Sequence, residues 1–111
     1  MAEVWKTIDE FPNYEISDFG NIKNIRTKRL LTPYIKDEWD CYVCLSNNGK
    51  KKSVKLHLLV ANAFVLNSDP DYKTVADHID NDKLNNHFTN LEWMTSLQYL
   101  KKHYGMIPKL S

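Results

Sequence analysis

Residues 75–104, VADHIDNDKLNNHFTNLEWMTSLQYLKKHY, hold the densest mixture of acids, imidazoles and amides in the chain, between two apolar, strand-like segments. Val75-Ala76 leads into Asp77-His78, an Asn-rich loop follows, and Asn90-Leu91-Glu92-Trp93-Met94 returns as a second short strand. Thr95 or Ser96 can then cap a short amphipathic helix through Lys102, which Gly105 stops with Pro108 just beyond. Polar groups packed this closely cost free energy when buried unless something satisfies them. A metal together with a phosphate is one way to do so. The order strand, polar loop, strand, helix decides the fold of the second half, and the preceding chain reads as its scaffold.

Working back from there, Leu58, Leu59, Val60, Ala61, Ala63 and Phe64 suit a helix that starts at His57, is buried on much of its circumference and ends before Asn67-Ser68-Asp69-Pro70. Before it the period is two. Val4 to Ile8 reads as a strand and Glu10 to Asn13, with Pro12, as a turn. Tyr14 to Ser17 and Ile22 to Ile25 form a hairpin across Asp18-Phe19-Gly20-Asn21. Arg26 to Arg29 is its basic following loop, and Leu30 to Ile35 continues as extended chain interrupted by Pro33. Cys41 to Leu45 and Ser53 to Leu56 are strands joined through Asn47-Asn48-Gly49-Lys50, where Asn and Gly accept positive φ. The first half is expected to be one antiparallel sheet of short strands covered by the helix, which makes the chain α+β.

A chain of 111 residues can bury one modest core, so a single compact unit is expected, with a loosely ordered tail from Met106 to Ser111. No apolar run approaches the length of a membrane-spanning helix and no secretory signal is visible, so the expected location is intracellular, with no membrane partner. A net charge of +1 does not announce a nucleic-acid binder, but its distribution matters more. Lys50, Lys51, Lys52 and Lys55 form one acid-free block, Arg26, Lys28 and Arg29 a second, and Lys101, Lys102 and Lys109 gather near the end. Any one block reads as a solvated turn tip or helix end; three in a small domain point to a phosphate-binding face. Cys41 and Cys44 sit three apart in a strand and so face opposite ways, which opposes both chelation and a disulfide. They read as reduced thiols.

Several separate stretches occur in the order of one known family. These are Glu3-Val4-Trp5-Lys6 with Ile8, Asn13-Tyr14-Glu15-Ile16-Ser17 with Gly20, Tyr42, and Leu56 to Ala61 with Ala63-Phe64. They continue with Asp77-His78-Ile79-Asp80, Lys83 with Asn85-Asn86, and Asn90-Leu91-Glu92-Trp93 with Thr95. In these the chain resembles the HNH homing endonucleases of phages and mobile introns, preceded by the small N-terminal module that often accompanies them. The resemblance implies an N-terminal β module over residues 3–56 and, over 57–105, a helix plus a ββα-metal motif in which two strands and a helix surround one divalent ion, Mg²⁺ or Mn²⁺. It implies His78 as the general base that activates water, Asp77 as metal ligand, and Asn90 as the residue that holds the loop and orients His78. It also implies double-stranded DNA as partner, nicked by phosphodiester hydrolysis; of the basic blocks, Arg26, Lys28, Arg29, Lys50, Lys51, Lys52, Lys55, Lys101 and Lys102 are expected to contact it. The setting would be the cytoplasm of a host cell, with a homo-oligomer or a protein partner left open.

Read without the family, Asp77 and His78 are strand neighbours that face opposite ways, so they serve one site only if the strand bends or the site wraps its end. Asn81-Asp82 stands where relatives usually carry Gly, and Asn tolerates the left-handed turn. Tyr99 occupies the position of the family's usual second ligand, an Asn six residues after the Trp, and a neutral phenol is a poor ligand for a hard ion. Gln98 lies roughly 100° around the helix from it. His103 follows Tyr99 by four residues on the same face, as a ligand or as a solvated helix-end cation. His57 is expected to cap its helix or support the site, whereas Asp80, Asp82, His87 and Glu92 read as loop or surface groups. Trp5, Tyr14, Phe64 and Trp93 read as core, and Leu58 replaces a frequent Arg. Relatives often continue into a C-terminal helix-turn-helix that reads sequence; with Ser111 as the last residue, specificity is expected from the N-terminal sheet, or to be low. Tyr99 motivates a second expectation, a nuclease-derived DNA-binding module with lost or weakened catalysis. A third and weaker one is a protein-binding adaptor on the same fold.

Overall fold

Alternating apolar residues and turn-forming Asn and Gly shape the first half of the chain, seen in a computed structural model that describes residues 2–37 and 39–105. Pro108, Lys109 and the tail 106–111 lie outside the described residues. Strands β1 (Trp5–Ile8), β2 (Phe11–Ser17) and β3 (Ile22–Asn24) pair antiparallel in that order. Tyr14 lies opposite Asn24 and Ile16 opposite Ile22, the expected hairpin across 18–21. Strands β4 (Tyr34–Lys36), β5 (Asp40–Asn47) and β6 (Lys50–Lys55) form a second three-stranded sheet.

The single sheet expected from sequence is therefore two. Alternation reports which residues face inward but not which strands are neighbours. After β3 the chain leaves the first sheet with one bridge, Lys23 to Leu30, and Pro33 has no amide to donate, so β4 pairs with β5 instead. The sheets meet where β2 packs on β5, tied by Tyr14 Oη to Ser46 Oγ at 3.3 Å and by Asn47 Nδ2 donating to Glu10 O at 3.0 Å. Ile16, Ile22, Val43 and Leu45, all essentially fully buried, fill that junction's core.

In the β5–β6 hairpin Asn47 lies opposite Lys50, with Asn48 (φ 53°) and Gly49 (φ 79°) both left-handed, the geometry that suits the twist of the strands. β6 starts at Lys50 rather than Ser53 because its lysines point to solvent and their backbones complete the ladder to Leu45, Ser46 and Asn47. Helix α1 (Leu56–Phe64) follows without a break, so Leu56 belongs to the helix and not to the strand before it. Leu56, Leu59, Val60 and Ala61 are buried, and α1 packs on β2 and β5 on one side and on the second half of the molecule on the other.

That second half contains β7 (Val75–His78), a 3₁₀ turn (Phe88–Asn90), β8 (Leu91–Met94) and α2 (Ser96–Tyr104). β7 and β8 pair antiparallel, with Asp77 opposite Glu92 and His78 opposite Leu91. Thr95 Oγ1 accepts from Gln98 N at 3.1 Å while Gln98 Oε1 accepts from Thr95 N at 2.9 Å, a reciprocal cap, and Gly105 closes the helix at φ 61°. Cys41 is buried and Cys44 exposed on opposite faces of β5, and both are free thiols. Of the aromatic residues expected in the core, Tyr14 is buried and Trp5, Phe64 and Trp93 are half-buried. Among the described residues no helix is long and apolar enough to cross a membrane.

Candidate active site

Strand alternation sends Asp77 and His78 to opposite sides of β7, and both are 4 % exposed. Asp77 faces α2: Lys102 Nζ donates to its Oδ2 at 2.6 Å and His103 Nε2 lies 2.8 Å from its Oδ1. His78 faces α1 and the polar loop, its ring centroid 4.8 Å from that of His57 and its Nε2 2.8 Å from Asn86 Oδ1. Both line one cleft of about 460 Å³, together with Asp40, Lys55, His57, Lys83 and Tyr99. His78 is the last residue of β7, so the site wraps the strand's end.

Asn86 settles the tautomer of His78. Its Nδ2 donates to Lys83 O at 3.3 Å, which leaves Oδ1, an acceptor only, toward the ring. His78 Nε2 is therefore the donor, which in a neutral ring leaves the lone pair on Nδ1.

Asn90 does something else. Its Nδ2 donates to Asp80 Oδ1 and to Asn85 O, each at 2.9 Å, and its Oδ1 accepts from Asp80 N at 3.2 Å. Its carbonyl accepts from Ile79 N at 2.7 Å. Asn90 thus ties the two ends of the loop together, while the hydrogen bond on the His78 ring, expected from Asn90, comes from Asn86. The residue is visible in sequence as the second of the Asn85-Asn86 pair, but no local rule says which loop amide reaches a histidine eight positions earlier. Asn81 takes the left-handed turn at φ 65°, as its amide side chain allows.

The α2 residues also differ from expectation. Lys102, grouped in sequence with the DNA-binding cations, turns inward and donates to Asp77 Oδ2, to His78 O at 2.9 Å and to Ile79 O at 3.3 Å. A buried carboxylate needs a counter-charge, and an adjacent helix supplies it. His103 is an Asp77 partner rather than a free helix-end cation, and the Tyr99 ring lies tilted against it with centroids 4.4 Å apart. Burial alone would raise the Asp77 carboxyl, but the bonds from Lys102 and His103 outweigh it and hold the group below its ordinary range. Asp80 is also lowered, by the Asp82 amide first and then by Asn90.

His57 does not cap α1: the capping residue is Lys55, which makes no side-chain cap bond. His57 is buried, and its Nδ1 is the one buried side-chain polar atom without a partner among the described residues. Burial, and then the neighbouring His78, push its pKa down to about 4. Of the other predicted DNA contacts, Arg26, Lys28, Arg29, Lys50, Lys51, Lys52 and Lys101 are exposed. Lys55 stands at the cleft, paired with Asp40 at 3.6 Å.

Among the described residues no three His, Cys, Asp or Glu side chains converge as a closed metal cage. The donors at hand are the Asp77 carboxylate and the His103 imidazole, with the Tyr99 phenol beside them. One carboxylate and one imidazole would suit a divalent cation that keeps most of its shell as water and substrate oxygen, though here Lys102 and His103 engage both oxygens of Asp77.

Residues 3–57 match the NUMOD4 motif. The protein called uncharacterized HNH endonuclease L247, of Acanthamoeba polyphaga mimivirus, is 39% identical over 97 residues, which are 86% of this chain and 24% of that protein. H-N-H endonuclease F-TflII of Escherichia phage T5 is 33% identical over 93 residues, 84% of this chain and 48% of that protein. A solved structure described as DNA binding and cleavage by the HNH homing endonuclease I-HmuI, an enzyme of Bacillus phage SP01, superposes with a TM-score of 0.82 at 29% identity. The match covers 92% of this chain and 58% of that one. The chain thus spans from 24% to 48% of the length of these two curated relatives.

Proposed function

We propose, since the chain belongs to the HNH homing endonuclease family and carries a NUMOD4 motif, that it is a metal-dependent endonuclease that nicks double-stranded DNA. The observation that carries this reading is His78, oriented through Nε2 and set beside Asp77 where β7 ends in the cleft. His78 Nδ1 takes a proton from the water that attacks the scissile phosphorus, and Asn86 keeps the ring in the geometry this requires. Asn90 holds the loop that carries both. Asp77 and His103 would hold a divalent ion, Mg²⁺ or Mn²⁺, which when bound supplies charge neutralisation at the phosphate and the leaving oxygen. The exposed Arg26, Lys28, Arg29, Lys50, Lys51, Lys52 and Lys101 contact DNA phosphates, with Lys55 at the cleft rim. In this reading residues 3–56 are the N-terminal module and 57–105 the nuclease motif of one unit.

Supercoiled plasmid incubated with the protein and Mg²⁺ or Mn²⁺ tests the reading. Relaxation to the nicked form is expected, with His78→Ala slowing it by about a hundredfold or more. Absence of nicking in both metals, or nicking indifferent to His78→Ala, overturns it.

A second reading, a DNA-binding module with lost or weakened catalysis, is favoured by Lys102 on Asp77 Oδ2 and by Tyr99 at the family's ligand position. It predicts DNA binding without cutting by the natural chain. It further predicts that Tyr99→Asn with Lys102→Met gains Mn²⁺ binding in titration calorimetry and Mn²⁺-dependent nicking. Robust cutting by the unaltered chain excludes it.

A further inference from the structure

The turn between β2 and β3 lies against the loop that carries Asn86. Ser17, fully buried, sets this turn: its Oγ accepts from Phe19 N at 3.2 Å and from Asn21 N at 3.0 Å. Gly20 then adopts φ +88°, and a methyl placed on it would lie 3.0 Å from both Cβ and O of Asn86. The two backbones therefore meet with no room for a side chain between them, which is a reason for glycine here beyond its dihedral freedom. On the far side of Asn86 the same turn makes two more contacts. Phe88 N donates to Asp18 O at 2.9 Å, and the Phe19 ring lies 4.9 Å from that of His87. Asn86 is itself only 6 % exposed, and its amide is bonded at one end to Lys83 O and at the other to His78 Nε2.

We infer that the 17–21 turn of the N-terminal half is a positioning element for the nuclease site. Gly20 seats Asn86, and Asn86 holds His78 in the Nε2–H tautomer with its lone pair on Nδ1. Asn86 and Gly20 are positioning residues that act through His78, and the role rests on the reading of His78 as the base. Packing alone explains a close approach of turn and loop. It does not explain why the residue pressed into place is the one whose amide fixes the imidazole. The N-terminal half thereby sets the protonation geometry of a residue about sixty positions later in the chain, in addition to presenting basic side chains.

The tautomer can be read without any nuclease assay, from the imidazole nitrogen shifts of the full chain. The natural chain and Asn86→Asp, which keeps an acceptor, are expected to show His78 as Nε2–H. Asn86→Ala and Gly20→Ala are expected to shift it toward a mixture of tautomers. In plasmid nicking the two alanine variants are expected to lose about ten- to a hundredfold in kcat, with KM for DNA within about twofold, and Asn86→Asp to retain more activity than Asn86→Ala. Should Gly20→Ala fail to fold, Ser17→Ala removes the two bonds that set the turn without adding an atom and carries the same expectation. His78 remaining Nε2–H in Asn86→Ala, or a folded turn variant with unchanged tautomer and kcat, overturns the inference. If the natural chain does not nick at all, the proposed function falls while the tautomer measurement still decides this point.

Discussion

Among the described residues His57 Nδ1 has no partner, and its pKa is pushed down to about 4, so the folded chain holds it neutral through the range where the unfolded chain binds a proton. Since the unfolded state binds more protons between its ordinary value and about 4, stability is complete above about pH 6.5 and falls as pH drops toward 4. The loss amounts to about 3 kcal/mol at most. Asp77 acts at the acid end: its lowered pKa contributes stability above the usual carboxylate value, lost as pH falls through the folded one. Urea midpoints measured from pH 7 to pH 4.5 should decline for the natural chain and decline less for His57→Phe, which cannot titrate. Equal slopes would show that His57 is not the titrating group. At this scale the sequence left His57 as a helix cap or a support of the site, because the neighbour that acts on its charge, His78, is 21 positions away in the chain.

Helix α2 has nine residues and none of them is buried, so neither propensity nor packing suffices to hold it. Its ends do much of that work, with the Thr95–Gln98 box at one and Gly105 at the other, and Lys102 and His103 pin its last turn to Asp77. Thr95→Ala should cost about 1 kcal/mol in chemical denaturation. Amide exchange should rise in α2 and leave β5 near its natural rate, because only the helix loses a constraint; uniform acceleration would count against this account. Both caps are legible in residues 95–105. Which way the helix face is turned is not, since the 3.6-residue period groups Tyr99, Lys102 and His103 without saying that the group looks inward at a carboxylate.

At the scale of the molecule, two sheets and α1 share one core in which Leu45 and Val60 are wholly excluded from solvent. Leu45→Ala should therefore cost about 3 kcal/mol, read as a lower denaturation midpoint with unchanged slope. A second expectation concerns charge. A net charge of +1 hides an uneven surface, and under the proposed function the exposed Lys50, Lys51 and Lys52 at the β5–β6 hairpin contact phosphate. DNA affinity measured by anisotropy should fall steeply with salt, and replacing the three lysines by alanine should reduce that logarithmic slope by roughly 2 to 3. An unchanged slope would put the DNA elsewhere.

The hairpin at Asn48-Gly49, a cap at Thr95 or Ser96, the helix after β6 and the ordered series Asp77-His78, Asn90, Trp93 were determined by sequence alone. The first three rest on dihedral tolerance, capping or periodicity that acts over a few neighbouring residues, and the series on the resemblance to the HNH family. Tertiary structure decided the rest: the division of one expected sheet into two, Lys102 turned onto Asp77, and Asn86 rather than Asn90 on the His78 ring. It also decided that Gly20 presses on Asn86. These are pairings between segments far apart in the chain. They follow from which buried charge or amide must find a partner once the core has closed, and local sequence rules carry no term for that.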